Sequence, residues 1–326
     1  MNNDGVSINT DEKSGVRQGE YRQKILKRRY LWKKNFSYYL MFVPCAVLLI
    51  MFSYVPMMGI VLAFKDFYPK LGIFGSPFAT PATKYFEKLF SDYYFWVTLK
   101  NTLAISSLRI LACFPFTVFS ALLFNELKSP RYGKFVQTVL YIPYFISWVV
   151  MAGMVKMIFG YDGMVNSVFV SIGGERTDFL TSSGPFLALI ILVDMWKSSG
   201  YGMIIYLASI SSIDQSLYEA VEIDGGNRWN KMMAVTLPGI KTAITIQLVL
   251  SVSGVLNGGF DQIFNLYSTP VYDVADILDT YIYRMGIDAG KVELGTALGF
   301  FKSVVGFLLI VIANKVCKLL GGDGVW

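Results

Sequence analysis

Residues that could do chemistry are few in this chain, and their spacing narrows what that chemistry can be. There is no histidine, so the commonest general base and the commonest metal ligand are both absent. Cys45, Cys113 and Cys317 lie far apart, inside or beside apolar runs, without CxxC spacing. They read as small membrane-buried residues rather than a disulfide framework or a zinc site. The densest acidic group is Asp273, Asp276 and Asp279. An i, i+3, i+6 spacing puts three carboxylates on one helical face, as a cation site or a membrane-embedded polysaccharide-modifying enzyme requires. No GxxxxGK[ST] phosphate loop occurs, and neither Gly173-Gly174-Glu175 nor Gly258-Gly259 is set to cradle a phosphate.

The other charges of interest sit inside apolar runs, where ionisable residues are rare and usually functional. Asp194 and Lys197 are three apart, so on a helix they share a face and can neutralise each other. The same two could instead line a path for a polar solute. Arg109 falls mid-run with no acid near it in sequence and is expected to face a bundle interior. Lys156 and Lys302 lie near run ends and can snorkel. Trp196, Tyr201, Asn257, Phe260 and Gln262 combine flat apolar faces with hydrogen-bonding groups. A sugar path needs that combination, although each residue alone fits packing equally well.

The elements that must position these residues follow from composition. The 326 residues are 54% hydrophobic and only 16% charged, with mean hydropathy +0.49. A water-soluble surface cannot be built from that mixture, whereas a bilayer-embedded one can. Six apolar runs are each long enough to span: roughly 37–64, 95–124 with Pro115, 135–159 with Pro143, 185–210, 240–260 and 297–320. The expected fold is therefore all-α and polytopic, a six-helix membrane domain over 36–326 preceded by a basic arm, 1–35. The arm is too long and too charged to be the start of a simple signal peptide. It is expected to lie on the membrane surface through Leu31, Trp32 and Phe36.

Lys and Arg number 17 in the arm, the 128–134 loop, the 214–241 segment and the C-terminal end, against 7 in the alternate segments. The positive-inside rule then puts both termini in the cytoplasm. The net charge of +6 is a topology signal here. It is not arranged with aromatics along one helix face, which argues against nucleic acid as a partner.

One loop, 213–240 between the fourth and fifth runs, is unlike the rest. Ser216 followed by Glu219 fits a capping box. Leu217, Ala220 and Val221 then share a face. Gly225-Gly226 can end that helix, Asn227 can cap a second, and Leu237-Pro238 is expected to stop it. Two short helices at an angle make a knob suited to a groove on a soluble partner.

This stretch resembles the EAA loop of type I ABC importer permeases. The matching residues are Glu219-Ala220-Val221, then Gly225, then Val235-Thr236-Leu237-Pro238. Val221 replaces the usual third Ala, and Gly226 stands where Ala is common. Segments around Leu40–Asp66, Trp196–Tyr201 and Phe260–Tyr267 are similar to the carbohydrate-uptake branch. The 272–281 segment resembles permeases for complex oligosaccharides. The likeness runs from about Leu31 to Trp326.

The resemblance implies a permease that pairs with a second, homologous permease on two ABC ATPase subunits. An extracytoplasmic binding protein would deliver an oligosaccharide, and ATP and magnesium would sit on the partner ATPase. Coupling to that ATPase would rest on Glu219, Ala220, Val221, Asp224, Gly225, Arg228, Leu237 and Pro238. Arg228 and Lys231 are equally well placed as lipid anchors. An ion-driven secondary transporter is the main rival, and it would want buried acid or histidine relays and an inverted repeat. The chain has Asp194 as its one clear mid-span acid and no repeat.

Overall fold

The computed structural model describes residues 34–127 and 129–319. The basic arm therefore lies outside the described residues except for its last two positions, as do Lys128 and 320–326. The chain divides into two units, 1–60 and 61–326.

In the first unit the helix that begins at Lys34 is apolar and mostly exposed to Ile60. That fits a helix whose solvent is lipid or another helix. It carries a π-turn over Ile50–Tyr54 and a proline in the turn that follows.

In the second unit, helices account for nearly all regular structure among the described residues, and the one β-bridge joins Lys65 to Phe78. Five helices in the described chain are long and apolar enough to cross a membrane, and six if a bent pair counts as one span. The second span, Tyr93–Asn125, starts where Asp92 accepts a hydrogen bond from the Tyr94 amide at 2.9 Å. The fourth, Ser183–Ser211, and the sixth, Val292–Leu319, are continuous.

Two spans depart from expectation. The sequence predicts the third as one helix over 135–159. It is two, Pro130–Phe145 and Trp148–Phe159, separated by extended backbone at Ile146 and Ser147. Pro143 removes a donor from the last turn of the first piece. The Ser147 hydroxyl caps the second by accepting from the Val150 amide. The fifth, read as 240–260, ends at Ser253. Its 13 residues reach only ~20 Å, short of a ~30 Å hydrocarbon core. Gly259 then takes a left-handed conformation, φ +81°, which a glycine adopts without cost. The chain re-enters helix at Phe260–Leu266.

The core sits where the second, third and fourth spans meet the segment after the fifth. Ile105, Met151, Phe186, Ile190 and Ile263 are fully buried there. At the other end of the bundle Ala121, Met203, Tyr206 and Ile240 form a second cluster. The third and fourth spans cross so closely that a Cβ on Gly200 would lie 1.9 Å from the Leu140 carbonyl oxygen. Small residues permit such crossings in membranes.

Candidate functional site

The loop between the fourth and fifth spans folds as two short helices, Gln215–Ile223 and Arg228–Lys231. The expected Ser216–Glu219 capping box does not form. Asp214 caps instead, its Oδ1 accepting from the Ser216 amide at 2.9 Å. That bond holds the Asp214 carboxyl below the usual carboxylate range. Glu219 is exposed and makes no ion pair among the described residues.

The helix ends as expected, in a Schellman turn: Gly226 N–H donates to Val221 O at 2.8 Å and Gly225 N–H to Glu222 O at 3.0 Å. Gly225 has φ +77°. A Cβ at Gly226 would meet Val221 O at 2.8 Å, so alanine does not fit this turn without movement. Asn227 caps the second helix reciprocally with Asn230, at 3.0 and 3.1 Å.

Pro238 was expected to stop that helix, and it does not. The chain runs through a π-turn, Met232–Thr236, into Leu237–Gly239, where Pro238 lies in a first turn and its missing N–H costs little. The change of direction comes at Ile240, with a 58° bend into Lys241–Ser253. Buried Thr236 bonds Tyr218 at 3.1 Å and ties the two halves of the loop. Arg228 reaches Glu126 at 3.7 Å, and Lys231 pairs with Glu222. Among its exposed polar residues the loop also leaves large apolar ones outward: Leu217, Ile223 at 85% exposure, Trp229 and Met233.

Inside the bundle the charges pair differently from the sequence reading. Asp194 and Lys197 do not neutralise each other. Lys197 donates to the carbonyl oxygens of Pro143 at 3.0 Å, Tyr144 at 2.9 Å and Ile146. The third span breaks there, so these oxygens lack their regular helical partners, Pro143 O keeping only the Ile146 amide at 3.3 Å, and a helix C-terminus favours a cation. The ammonium also lies over the rings of Tyr144 and Trp148. Asp194 turns to Arg109, 3.5 Å from its Nε, and accepts from Ser198 at 3.0 Å. Arg109 further donates to Gly258 O at 2.8 Å and to Gln262 Oε1. Gln262 in turn donates to Ile190 O at 2.7 Å. The second and fourth spans and the segment after the fifth are thus braced at one point. A Cβ on Gly259 would lie 2.1 Å from the guanidinium, which is why the break there needs glycine.

Beside this brace lies a cavity of about 320 Å³ between the second, fourth and fifth spans. Of the residues expected along a solute path, Asn257 lines it and Gln262 supports its wall. Tyr201 stacks on Tyr144, 3.9 Å between centroids, and Phe260 stacks on Phe264. Trp196 is half exposed and lines none of this cavity. Sequence reasoning passed over Ser106, Thr117, Ser198, Gly202, Gln247 and Ser251, all in the lining. A signal for them was present: Ser106, Arg109, Cys113 and Thr117 recur at helical spacing, as do Ser198, Gly202 and Tyr206, and Gln247, Ser251 and Gly254. Each is a small or polar stripe on an otherwise apolar helix.

The acidic triplet does not gather. The backbone is extended at Asp276, so Asp273, Asp276 and Asp279 point to different partners: Ser183, Arg284 and Lys302 respectively. Among the described residues no group of three His, Cys, Asp or Glu side chains could hold a metal ion.

Residues 113–318, which carry the loop and all of the cavity lining but Ser106, Arg109 and Ile110, match the family described as "binding-protein-dependent transport system inner membrane component". The chain belongs to that family. Relatives include the polygalacturonan/rhamnogalacturonan transport system permease protein YteP of Bacillus subtilis (strain 168), 39% identical over 93% of this chain and 92% of the relative. Protein LplB of the same organism is 37% identical over 90% and 92%. Among solved structures, a chain of a bacterial ABC transporter that imports the acidic polysaccharide alginate superposes with TM-score 0.81 at 35% identity. It covers 90% of this chain and 98% of that one. A second structure, of an alginate ABC transporter with its pentasaccharide-bound periplasmic protein, gives 0.82 at 36%. The chain is a multi-pass permease subunit of a binding-protein-dependent ABC importer, a transport component rather than an enzyme.

Proposed function

We propose that this permease forms half of a translocation pore for an oligosaccharide, in company with a second permease, two ABC ATPase subunits and an extracytoplasmic binding protein. ATP and magnesium belong to the ATPase subunits. Both termini are cytoplasmic, as the Lys/Arg distribution requires, which puts the 213–240 loop on the ATPase side. The relatives named for polygalacturonan and alginate support a saccharide as solute.

The observation that carries this reading is the loop. Its backbone is satisfied from within by the Asp214 cap, the Schellman turn and the Asn227 box. Its apolar side chains, Leu217, Ile223 and Trp229, are left outside. A self-supporting knob with an apolar surface is what an interface with another protein needs. Glu219 and Asp224 add charge to that surface, and Ala220, Val221, Gly225, Leu237 and Pro238 set its shape. Movement of the knob against the ATPase passes through the Ile240 bend into the fifth span and so to the cavity wall. The solute path runs along that cavity, past Asn257 and the Arg109–Asp194–Gln262 brace, with Tyr201 and Phe260 in the aromatic clusters flanking it.

The test is reconstitution of the full complex in proteoliposomes. The expected result is accumulation of labelled oligosaccharide that requires both ATP and the loaded binding protein. Accumulation driven by a sodium or proton gradient without ATP would replace this reading by the secondary-transporter one.

A further inference from the structure

The fifth and sixth spans leave a second opening, away from the cavity. Between Lys241–Ser253 and Val292–Leu319 runs a groove of about 410 Å³. The fifth span contributes Lys241, Thr245, Leu248 and Val252, which recur at helical spacing, and the sixth contributes Ile312 and Val316. Val249 and Cys317 are buried and form its floor, whereas Leu248, Ile312 and Val316 stay exposed along its rims. Lys241 and Cys317 mark one end and Val252 and Leu309 the other, since the two helices run antiparallel.

Length and charge narrow what this groove can hold. From Lys241 to Val252 the helix rises about 16 Å, and half of a ~30 Å hydrocarbon core is about 15 Å. The groove therefore starts at a membrane face and ends near the midplane. Apart from Thr245 and Cys317 its lining below Lys241 is apolar, and no acid belongs to it. Lys241 is exposed and makes no ion pair among the described residues. Lys315 and Lys318, in the last two turns of the sixth span, add unpaired cations at the same end. A free ammonium at the interface, above an apolar slot one leaflet deep, fits a phospholipid with an anionic headgroup. A zwitterionic lipid fills the slot equally well but brings an ammonium of its own to Lys241. An apolar helix laid in the groove leaves Lys241 without a charge complement. Acyl chains gain little by exchanging lipid neighbours for apolar side chains, so the choice among lipids falls on the charge.

We infer that the groove between the fifth and sixth spans is a binding site for an anionic phospholipid, one acyl chain along Leu248, Val252, Ile312 and Val316 and the headgroup phosphate on Lys241. The headgroup then lies beside Ile240, where the chain bends by 58° into the fifth span. Nothing in this depends on which solute is carried. The complete transporter is placed in nanodiscs of equal parts dioleoyl phosphatidylglycerol and dioleoyl phosphatidylcholine, which share their chains and differ in charge. A photo-reactive benzoylphenylalanine at Val316 reports what occupies the groove. The readout is the ratio of the two lipid adducts by mass spectrometry.

With Lys241 in place, phosphatidylglycerol adducts are expected to exceed phosphatidylcholine adducts about fivefold, the worth of one lysine against an anionic lipid. Lys241→Gln should bring the ratio close to one, and Lys241→Arg, which keeps the charge, should preserve it. Ala313→Phe puts a ring into the groove without touching the lysine and should lower both adducts together. Equal adducts with Lys241 present, or a preference that survives Lys241→Gln, would overturn the site. So would an adduct to another protein chain, which would show that a helix covers the groove, or the absence of any lipid adduct. Lys241 is exposed and makes no ion pair among the described residues, so its variants leave the fold intact and the readout interpretable.

Discussion

The 213–240 loop and the Arg109–Lys197 interior solve opposite problems with similar parts. In the loop, side chains of Asp214, Asn227 and Asn230 satisfy the backbone, and the large apolar residues are left facing out. In the interior, backbone carbonyls of Pro143, Tyr144, Ile146 and Gly258 satisfy buried charged side chains. The loop is finished as a fold and unfinished as a surface. The interior places its charges against main-chain oxygens and depends on breaks in two helices to do so. Disturbing the loop should therefore affect coupling before stability, and disturbing the interior the reverse.

The sharpest way to break that contrast is at the crossing of the third and fourth spans. Gly200→Val puts a Cβ against the Leu140 carbonyl oxygen at 1.9 Å, a backbone atom that cannot step aside. Overpacking of that kind costs about 1–3 kcal/mol or more. We expect little monodisperse protein on size exclusion, whereas Gly153→Val, with nothing within 4 Å of its Cβ, should be recovered normally. Equal recovery would mean the two spans do not cross as described.

Next in size is Lys197→Met. It withdraws the ammonium from three carbonyl oxygens at the break, of which Pro143 O keeps the Ile146 amide, each lost bond to a charged group being worth about 1.5–3 kcal/mol. The expected result is a lower unfolding temperature in detergent and, with it, loss of uptake. Unchanged thermal stability would show that the break holds itself open without the lysine.

Gly225→Val should act in the other direction. It meets no side chain, since its Cβ faces open space, but φ +77° costs an L-residue about 1–2 kcal/mol. The spans are untouched, so stability should hold while binding-protein-stimulated ATPase turnover falls severalfold. Gly225→Asn, which tolerates the left-handed region, should recover most of it. Full turnover in the valine variant would remove the loop from the coupling path.

The smallest effect belongs to Asp214. Its carboxyl is lowered by the Ser216 amide, so its contribution is complete above the unfolded value near 3.8 and fades only as pH falls through the folded value below that. Amide protection over 215–218, taken relative to the intrinsic exchange rate at each pH, should therefore be flat around neutrality and fall only in strong acid. Asp214→Asn, an equally good cap, should abolish that acid dependence without speeding exchange at neutral pH.

What could be read from sequence divides along the same line. The loop was legible because its signals are local: Gly225 must reverse the chain, and Asn227 caps the four-residue helix that follows it. Two details differ: the first cap is Asp214, two residues before the serine expected there, and the second helix runs past Pro238 to the bend at Ile240. The six apolar runs were legible because length and hydropathy alone define them. The interior was not. Arg109 meets Asp194, Gly258 and Gln262, partners 85 to 153 positions away. Lys197 chose main-chain oxygens of another helix over an acid one turn away, a choice created by a break that Pro143 hints at but does not fix. Trp196, which looked like a sugar platform, points away from the cavity that the small and polar stripes enclose.

The lysine cage has a further consequence for how this protein can change over generations. Its three acceptors are main-chain oxygens, so any side chain may replace Tyr144 or Ile146 without withdrawing them. No compensating substitution is demanded anywhere when one of those positions drifts. Lys197 would then stay fixed in descent while its contacts vary freely, and a search for positions that mutate in concert would pass over the joint. The aromatic shelf of Tyr144 and Trp148 around the ammonium is thus open to remodelling for new cargoes on a joint that inheritance holds still.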